Sequence, residues 1–196
     1  ELMNKYYIEQ FGNPSSLHQF GQEARQGINW GREILAELLG ANPGEIYFTS
    51  GGTEADNLAI LGTAFANRHR GRHVVTSSIE HHAVLDSCKY LEKQGFRVTY
   101  LPVDDQGLIK LAELDKALDS ETILISIMHA NNEIGTIQPI AEIGRRAKER
   151  GIPFHTDAVQ SLGKVPVEVN QLGVSLLSAS AHKIYGPKGT GLLYVR

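Results

Sequence analysis

Strand-type and helix-type patterns alternate along the whole chain, and this alternation restricts its fold more than any other feature of the 196-residue sequence. Short runs rich in β-branched and apolar residues read as strands: EIYFT (45–49), HVVTSS (73–78), RVTYLPV (97–103), TILISIM (122–128), IPFHTDA (152–158), VSLLSAS (174–180) and GLLYVR (191–196). Between most of them, apolar residues recur at three- and four-residue steps, the period of a helix with one buried face. Helices are expected over 15–39, closed by Gly40, over 53–69, 83–94 and 109–118, and from Pro139 to Gly151. Strands separated by such helices build βαβ units. The near-continuous apolar run TILISIM fits a sheet covered on both faces. The expected fold is therefore α/β: three αβα layers around a mostly parallel sheet, forming one domain over 1–196 with no repeat, low-complexity tract or linker.

Composition excludes several function classes. Hydrophobic residues make up 41% and charged residues 21%, an ordinary globular balance. The net charge of −3 leaves no basic face for nucleic acid or an anionic membrane. No apolar run approaches the roughly 18 residues of a membrane span, and the first ten residues hold no signal-peptide core. A single cysteine, Cys88, allows no internal disulfide and fits a reducing, cytoplasmic setting.

In open parallel sheets, ligands bind at the carboxyl ends of the strands. Five polar clusters of this sequence fall at such ends. SGGTEADN (50–57) follows the first strand, and its glycines with a helix start suit an anion such as phosphate at Gly52 and Thr53; the alternative is a tight turn with Thr53 as N-cap. SSIEHHAVL (77–85) brings His81 and His82, either a solvent-facing pair or a source of one ring for stacking and proton transfer. MHANNEIGTIQP (128–139) offers the amides of Asn131 and Asn132, suited to orienting a ligand, or an Asn-rich turn. PFHTDAVQ (153–160) places Asp157 at the end of an inward-running strand with Gln160 three residues on. A lone charge there needs a partner, such as a protonated pyridine nitrogen, unless Asp157 caps a following helix. SASAHKIYGPKGTG (178–191) sets Lys183, flanked by Ser180 and His182, between an apolar run and a Gly-Pro-Lys-Gly turn. A lysine partly removed from water there is suited to imine formation. His81, His155 and Asp157 form the weakest alternative, a metal-dependent hydrolase; no metal site is expected.

Together with FGNPSSLHQFG (11–21), these motifs occur in the order and wording of the NifS/IscS-type cysteine desulfurases, which the chain resembles along its whole length. That group belongs to the class V aminotransferases, fold-type I enzymes that use pyridoxal 5′-phosphate (PLP). The resemblance implies the following roles. Lys183 holds the cofactor as a Schiff base, and Asp157 pairs with the pyridine nitrogen. Gln160 contacts the ring hydroxyl, and His81 stacks on the ring and takes part in proton transfers. Gly52, Thr53, Ser180 and His182 bind the phosphate, and Asn132 contacts cofactor or substrate. The implied reaction converts L-cysteine to L-alanine, with sulfur leaving as a persulfide for an iron–sulfur scaffold or another acceptor, in a homodimer.

In that family the persulfide cysteine, the arginine for the substrate carboxylate and a phosphate contact from the partner subunit lie beyond the position of Arg196. The opening strand lies before Glu1. The chain is thus expected to be the PLP-binding large domain, without the family's first strand and C-terminal small domain. Cys88 falls inside a helical pattern, where a free cysteine is usually a small core residue. Other class V chemistry, such as a selenocysteine lyase or an aminotransferase, uses the same Asp157 and Lys183. A non-catalytic binding or scaffold module is the reading of a different kind.

Overall fold

The computed structural model describes residues 2–196. Its centre is a seven-stranded sheet in the order β1-β7-β6-β5-β4-β2-β3. The strands are β1 (Ile46–Thr49), β2 (His73–Ser77), β3 (Arg97–Leu101), β4 (Thr122–Ser126), β5 (Phe154–Asp157), β6 (Leu176–Ser180) and β7 (Gly191–Val195). Pairings from β3 through β6 are parallel. β7 runs antiparallel to both β6 and β1. The sheet is therefore mostly parallel, with an antiparallel margin. The αβα reading holds, but the sequence did not reveal that the last strand inserts between the first and the sixth.

Alternation along the strands explains the layers. Val75, Ile125 and Leu177 enter one core, which α2 (Gln19–Leu39), α6 (Leu111–Ala117), α7 (Ile140–Glu149) and α8 (Val169–Leu172) cover with Leu39, Leu114, Ile143 and Val169. Their neighbours Val74 and Leu124 point to the other side, where Ile60 and, from α5 (His82–Lys93), Val84, Cys88 and Leu91 meet them. Leu176 and Leu193 meet Ala55 and Ala59 on the same outer layer. Successive side chains of a strand face opposite ways, so a run such as TILISIM feeds both cores.

The helix over 53–69 is a single run built from α3 (Gly52–Asn57), a π-turn over Leu58–Gly62 and α4 (Thr63–Asn67). α2 starts at Gln19 rather than Ser15. His18 caps it, with Nδ1 accepting the Gly21 N–H at 3.3 Å, while Asn13 Oδ1 binds the Ser15 N–H and holds the preceding residues in a turn. Two helices were not read from the sequence: α1 (Leu2–Ile8) and the one-turn α8, which Glu168 caps and Gly173 ends in the left-handed region. β4 covers TILISIM only as far as Ser126, although Ile127 and Met128 stay buried and the Ile127 N–H still donates to the His155 carbonyl on β5. Several apolar residues that marked α2 as a helix face outward; Leu17, Phe20, Ile34 and Leu38 are all exposed. Among the described residues, no helix is long and apolar enough to cross a membrane.

Candidate functional site

Because β1 is antiparallel to β7 and β7 to β6, β1 runs with the parallel strands. All five strands that precede the polar clusters thus end at one edge of the sheet, where they surround a cavity of about 310 Å³. Each of the nine expected site residues lines it. Gly52 and Thr53 come from the first turn of α3, where backbone N–H groups have no intrahelical acceptor. A Cβ at Gly52 would lie 2.6 Å from Val159 Cγ2, so the backbone passes where no side chain fits. His81 is the N-cap of α5: its Nδ1 accepts the Ala83 N–H at 3.2 Å, which leaves the neutral ring's proton on Nε2. His82 diverges from it, with ring centroids 6.2 Å apart at 63°, and lies outside this cavity.

Asp157 ends β5 as a buried carboxyl, and one of its oxygens accepts the Val159 N–H at 2.9 Å. The segment that follows is a run of turns, so Asp157 caps a turn and not a helix. Burial pushes its carboxyl above the usual range. Gln160 follows from that turn. Ser180 closes β6, and its Oγ is buried without a hydrogen-bond partner. His182 and Lys183 stand on the 3₁₀ turn Ala181–Lys183. The expectation that Lys183 is partly withdrawn from water is corrected: β6 is buried throughout, but the chain turns outward at Ala181 and Lys183 is exposed at the cavity wall.

The two asparagines of the third motif separate in role. Asn132 lines the cavity. Asn131 does not, because its amide is used internally: Nδ2 donates to the Ile79 carbonyl at 2.9 Å, and Oδ1 accepts the N–H groups of Glu133 and Ile134. The arrangement needed for a metal hydrolase is not formed. His155 is fully buried between the hydroxyls of Ser126 and Ser178, at 2.9 Å each. Among the described residues, no three His, Cys, Asp or Glu side chains gather as metal ligands.

Sequence reasoning missed Asp56, Met128 and Val159 on the cavity wall. Asp56 had a signal: it lies three residues after Thr53 in a helix, hence on the same face. Burial drives its carboxyl strongly upward, and Asp157 nearby adds to the effect. Glu80, immediately before His81, is also buried, and desolvation pushes it up to about 8.

The residues present suit a phosphorylated pyridine aldehyde. An orphaned buried hydroxyl beside a helix start fits a phosphate, a buried acid fits a ring cation, and a primary amine at the mouth fits a carbonyl.

Comparison with known proteins agrees. The family model for class V aminotransferases matches residues 1–196. Cysteine desulfurase IscS of Dictyoglomus turgidum is 59% identical over all of this chain and half of its own length. The protein of that name from Methanosarcina thermophila is 60% identical, with 48% of its length covered. Among solved structures, SspA in complex with cysteine superposes with a TM-score of 0.96 at 48% identity, over 99% of this chain and 56% of that one. A NifS-like protein gives 0.96 at 46%, over 99% and 54%. The chain thus spans about half the length of the curated relatives it matches. In its sheet order, its strand-end cavity and its match over every residue, the chain belongs to the class V aminotransferase family of PLP-dependent proteins.

Proposed function

We propose that these residues form the PLP-binding large domain of a cysteine desulfurase. The whole protein would take sulfur from L-cysteine, leave L-alanine, and pass the sulfur on as a persulfide for iron–sulfur cluster assembly or thiolation. The observation that carries this reading is the meeting of Lys183, Asp157, His81 and the unpartnered Ser180 hydroxyl around one cavity. The relatives named IscS and the SspA structure holding cysteine support the choice of substrate.

In this reading the N–H groups of Gly52 and Thr53, the Ser180 hydroxyl and His182 bind the phosphate. Asp157 faces the ring nitrogen and Gln160 the ring hydroxyl. Asn132 orients ring or substrate through its amide. When bound, the pyridoxal ring supplies an electron sink for charge developing on the amino acid. Lys183 Nζ would hold the cofactor covalently, and as the primary amine on the cavity wall it would carry protons there. His81 would stack on the ring, and its Nε2 holds the proton that its Nδ1 contact to Ala83 leaves there.

A second copy of the protein is the expected partner, beside a sulfur acceptor. Exposed apolar side chains on and around α1 and α2, among them Ile8, Phe11, Leu17, Phe20 and Leu38, support an assembly that covers them. The lone, buried Cys88 thiol suits a cytoplasmic location.

Borohydride reduction of the PLP-loaded protein, followed by peptide mapping, tests the cofactor site. The expected adduct is on Lys183; an adduct elsewhere, or no absorbance change on adding PLP, overturns it. L-Cysteine and a reductant given to the whole protein are expected to yield sulfide and alanine in equal amounts. Binding of PLP with no sulfide would overturn the desulfurase reading alone.

A further inference from the structure

A hydrogen-bonded row crosses three neighbouring strands behind the cavity. Ser126 on β4 meets His155 Nδ1, and His155 Nε2 meets Ser178 on β6, each at 2.9 Å. Asp157 lies two residues along β5 from His155 and faces the same side. Against this row α3 brings Asp56. Its Oδ1 lies 3.6 Å from His155 Nε2 and has no hydrogen-bond partner, with the Ser178 hydroxyl beside it. Asp56 is 1% exposed and Asp157 5%, so both carboxyls sit out of water while lining one cavity.

The ionisable groups around Asp56 do not neutralise it. β5 presents His155 and Asp157, and the loop before α5 presents a third acid, Glu80. Among the described residues, no lysine or arginine forms an ion pair with Asp56. His81, His182 and Lys183 stand on other walls of the cavity. Fully buried His155 is driven toward the neutral ring. Burying several carboxylates together without a cation is prohibitive, so some must hold protons. Asp157 accepts the Val159 N–H, a contact that favours its charged form, whereas Asp56 Oδ1 is buried with no donor, and burial raises it.

We propose that Asp56 is a positioning residue for the cofactor: as a neutral carboxyl set against the Ser126–His155–Ser178 row, it leaves Asp157 as the single negative charge that faces the ring nitrogen. This rests on PLP occupying the cavity with its nitrogen at Asp157. A neutral Asp56 adds no repulsion to Asp157 and brings an O–H donor to a place where an ionised one offers acceptors only.

The test uses the whole PLP-loaded protein with Asp56→Asn, Asp56→Ala and Asp157→Asn. It reads PLP affinity and the pH titration of the bound cofactor's visible absorbance. Asp56→Asn, an uncharged isostere, is expected to bind PLP within roughly threefold of the parent and to move the titration by less than about 0.3 pH units. Asp56→Ala and Asp157→Asn are each expected to weaken binding about tenfold or more. An Asp56→Asn protein whose titration moves by about one unit or more, like Asp157→Asn, would show Asp56 to be charged and overturn the proposal. So would Asp56→Ala indistinguishable from the parent. If Asp56→Ala does not fold, the Asp56→Asn titration alone decides. A parent protein that takes up no PLP overturns the cofactor reading itself, an outcome distinct from any of these.

Discussion

The carboxyl of Glu80 accepts the backbone N–H of Met128 at 2.9 Å, joining the residue before His81 to the segment that leads to Asn132. The same oxygen accepts the Ser77 hydroxyl at 2.6 Å. Asn131 returns the link by donating to the Ile79 carbonyl. Two loops that leave neighbouring strands β2 and β4 are thereby clasped, and two cavity-lining residues are held in one frame.

Substitutions at Glu80 should separate its shape from its charge. With its carboxyl at about 8, Glu80 is mainly neutral at pH 7. Glu80→Gln keeps the accepting oxygen and is expected to cost less than about 1 kcal/mol in urea unfolding, whereas Glu80→Ala strands two buried donors and should cost about 2–3 kcal/mol. The folded value is raised, so this group's stabilisation is complete below the unfolded value near 4.5 and is lost as pH rises through about 8. Glu80→Gln should flatten that decline. Equal unfolding curves for parent and Glu80→Ala would contradict the clasp.

His155 should act with the opposite sign. Complete burial lowers it from 6.5 to about 3, so its stabilisation is present above 6.5 and is lost progressively as pH falls toward 3. His155→Leu leaves the Ser126 and Ser178 hydroxyls buried without their partner. It should lose about 2–4 kcal/mol at neutral pH and show a shallower acid limb. The limb persists in part, because burial lowers His73 and His129 as well. An acid limb as steep as the parent's would argue against a neutral buried His155.

Gly52→Ala tests the close approach at the start of α3. The added Cβ would meet Val159 Cγ2 at 2.6 Å, so one of two cavity-lining residues has to shift. PLP affinity should fall about tenfold or more, while the far-UV circular dichroism stays that of the parent. Unchanged affinity would place the phosphate elsewhere.

Cys88 should have no part in sulfur chemistry. It is fully buried in the α5 layer, and burial pushes its thiol up to about 12, so almost none is thiolate at neutral pH. Cys88→Ala is expected to lower stability by about 1 kcal/mol and leave sulfide formation by the whole protein unchanged. Loss of sulfide production from a folded Cys88→Ala protein would refute this. The 196-residue chain expressed alone is expected to release little sulfide from L-cysteine, as an assay of that piece can check.

The sequence by itself determined the alternating elements, the two-faced strands and the strand-end motifs, because helix period, strand alternation and turn chemistry act over a few residues. Lys183, Asp157, His81 and Ser180 were legible as strand-end residues for that reason. Only the tertiary structure decided what those ends meet. β7 inserting between β1 and β6 puts β1 in line with the parallel strands, which depends on pairing between residues far apart in the chain. The same packing brings Asp56 against His155, turns the Asn131 amide into a clasp, and exposes Lys183 where β6 turns outward. Burial and partnership belong to the assembled layers, and with them the charges of the carboxyls around the cavity.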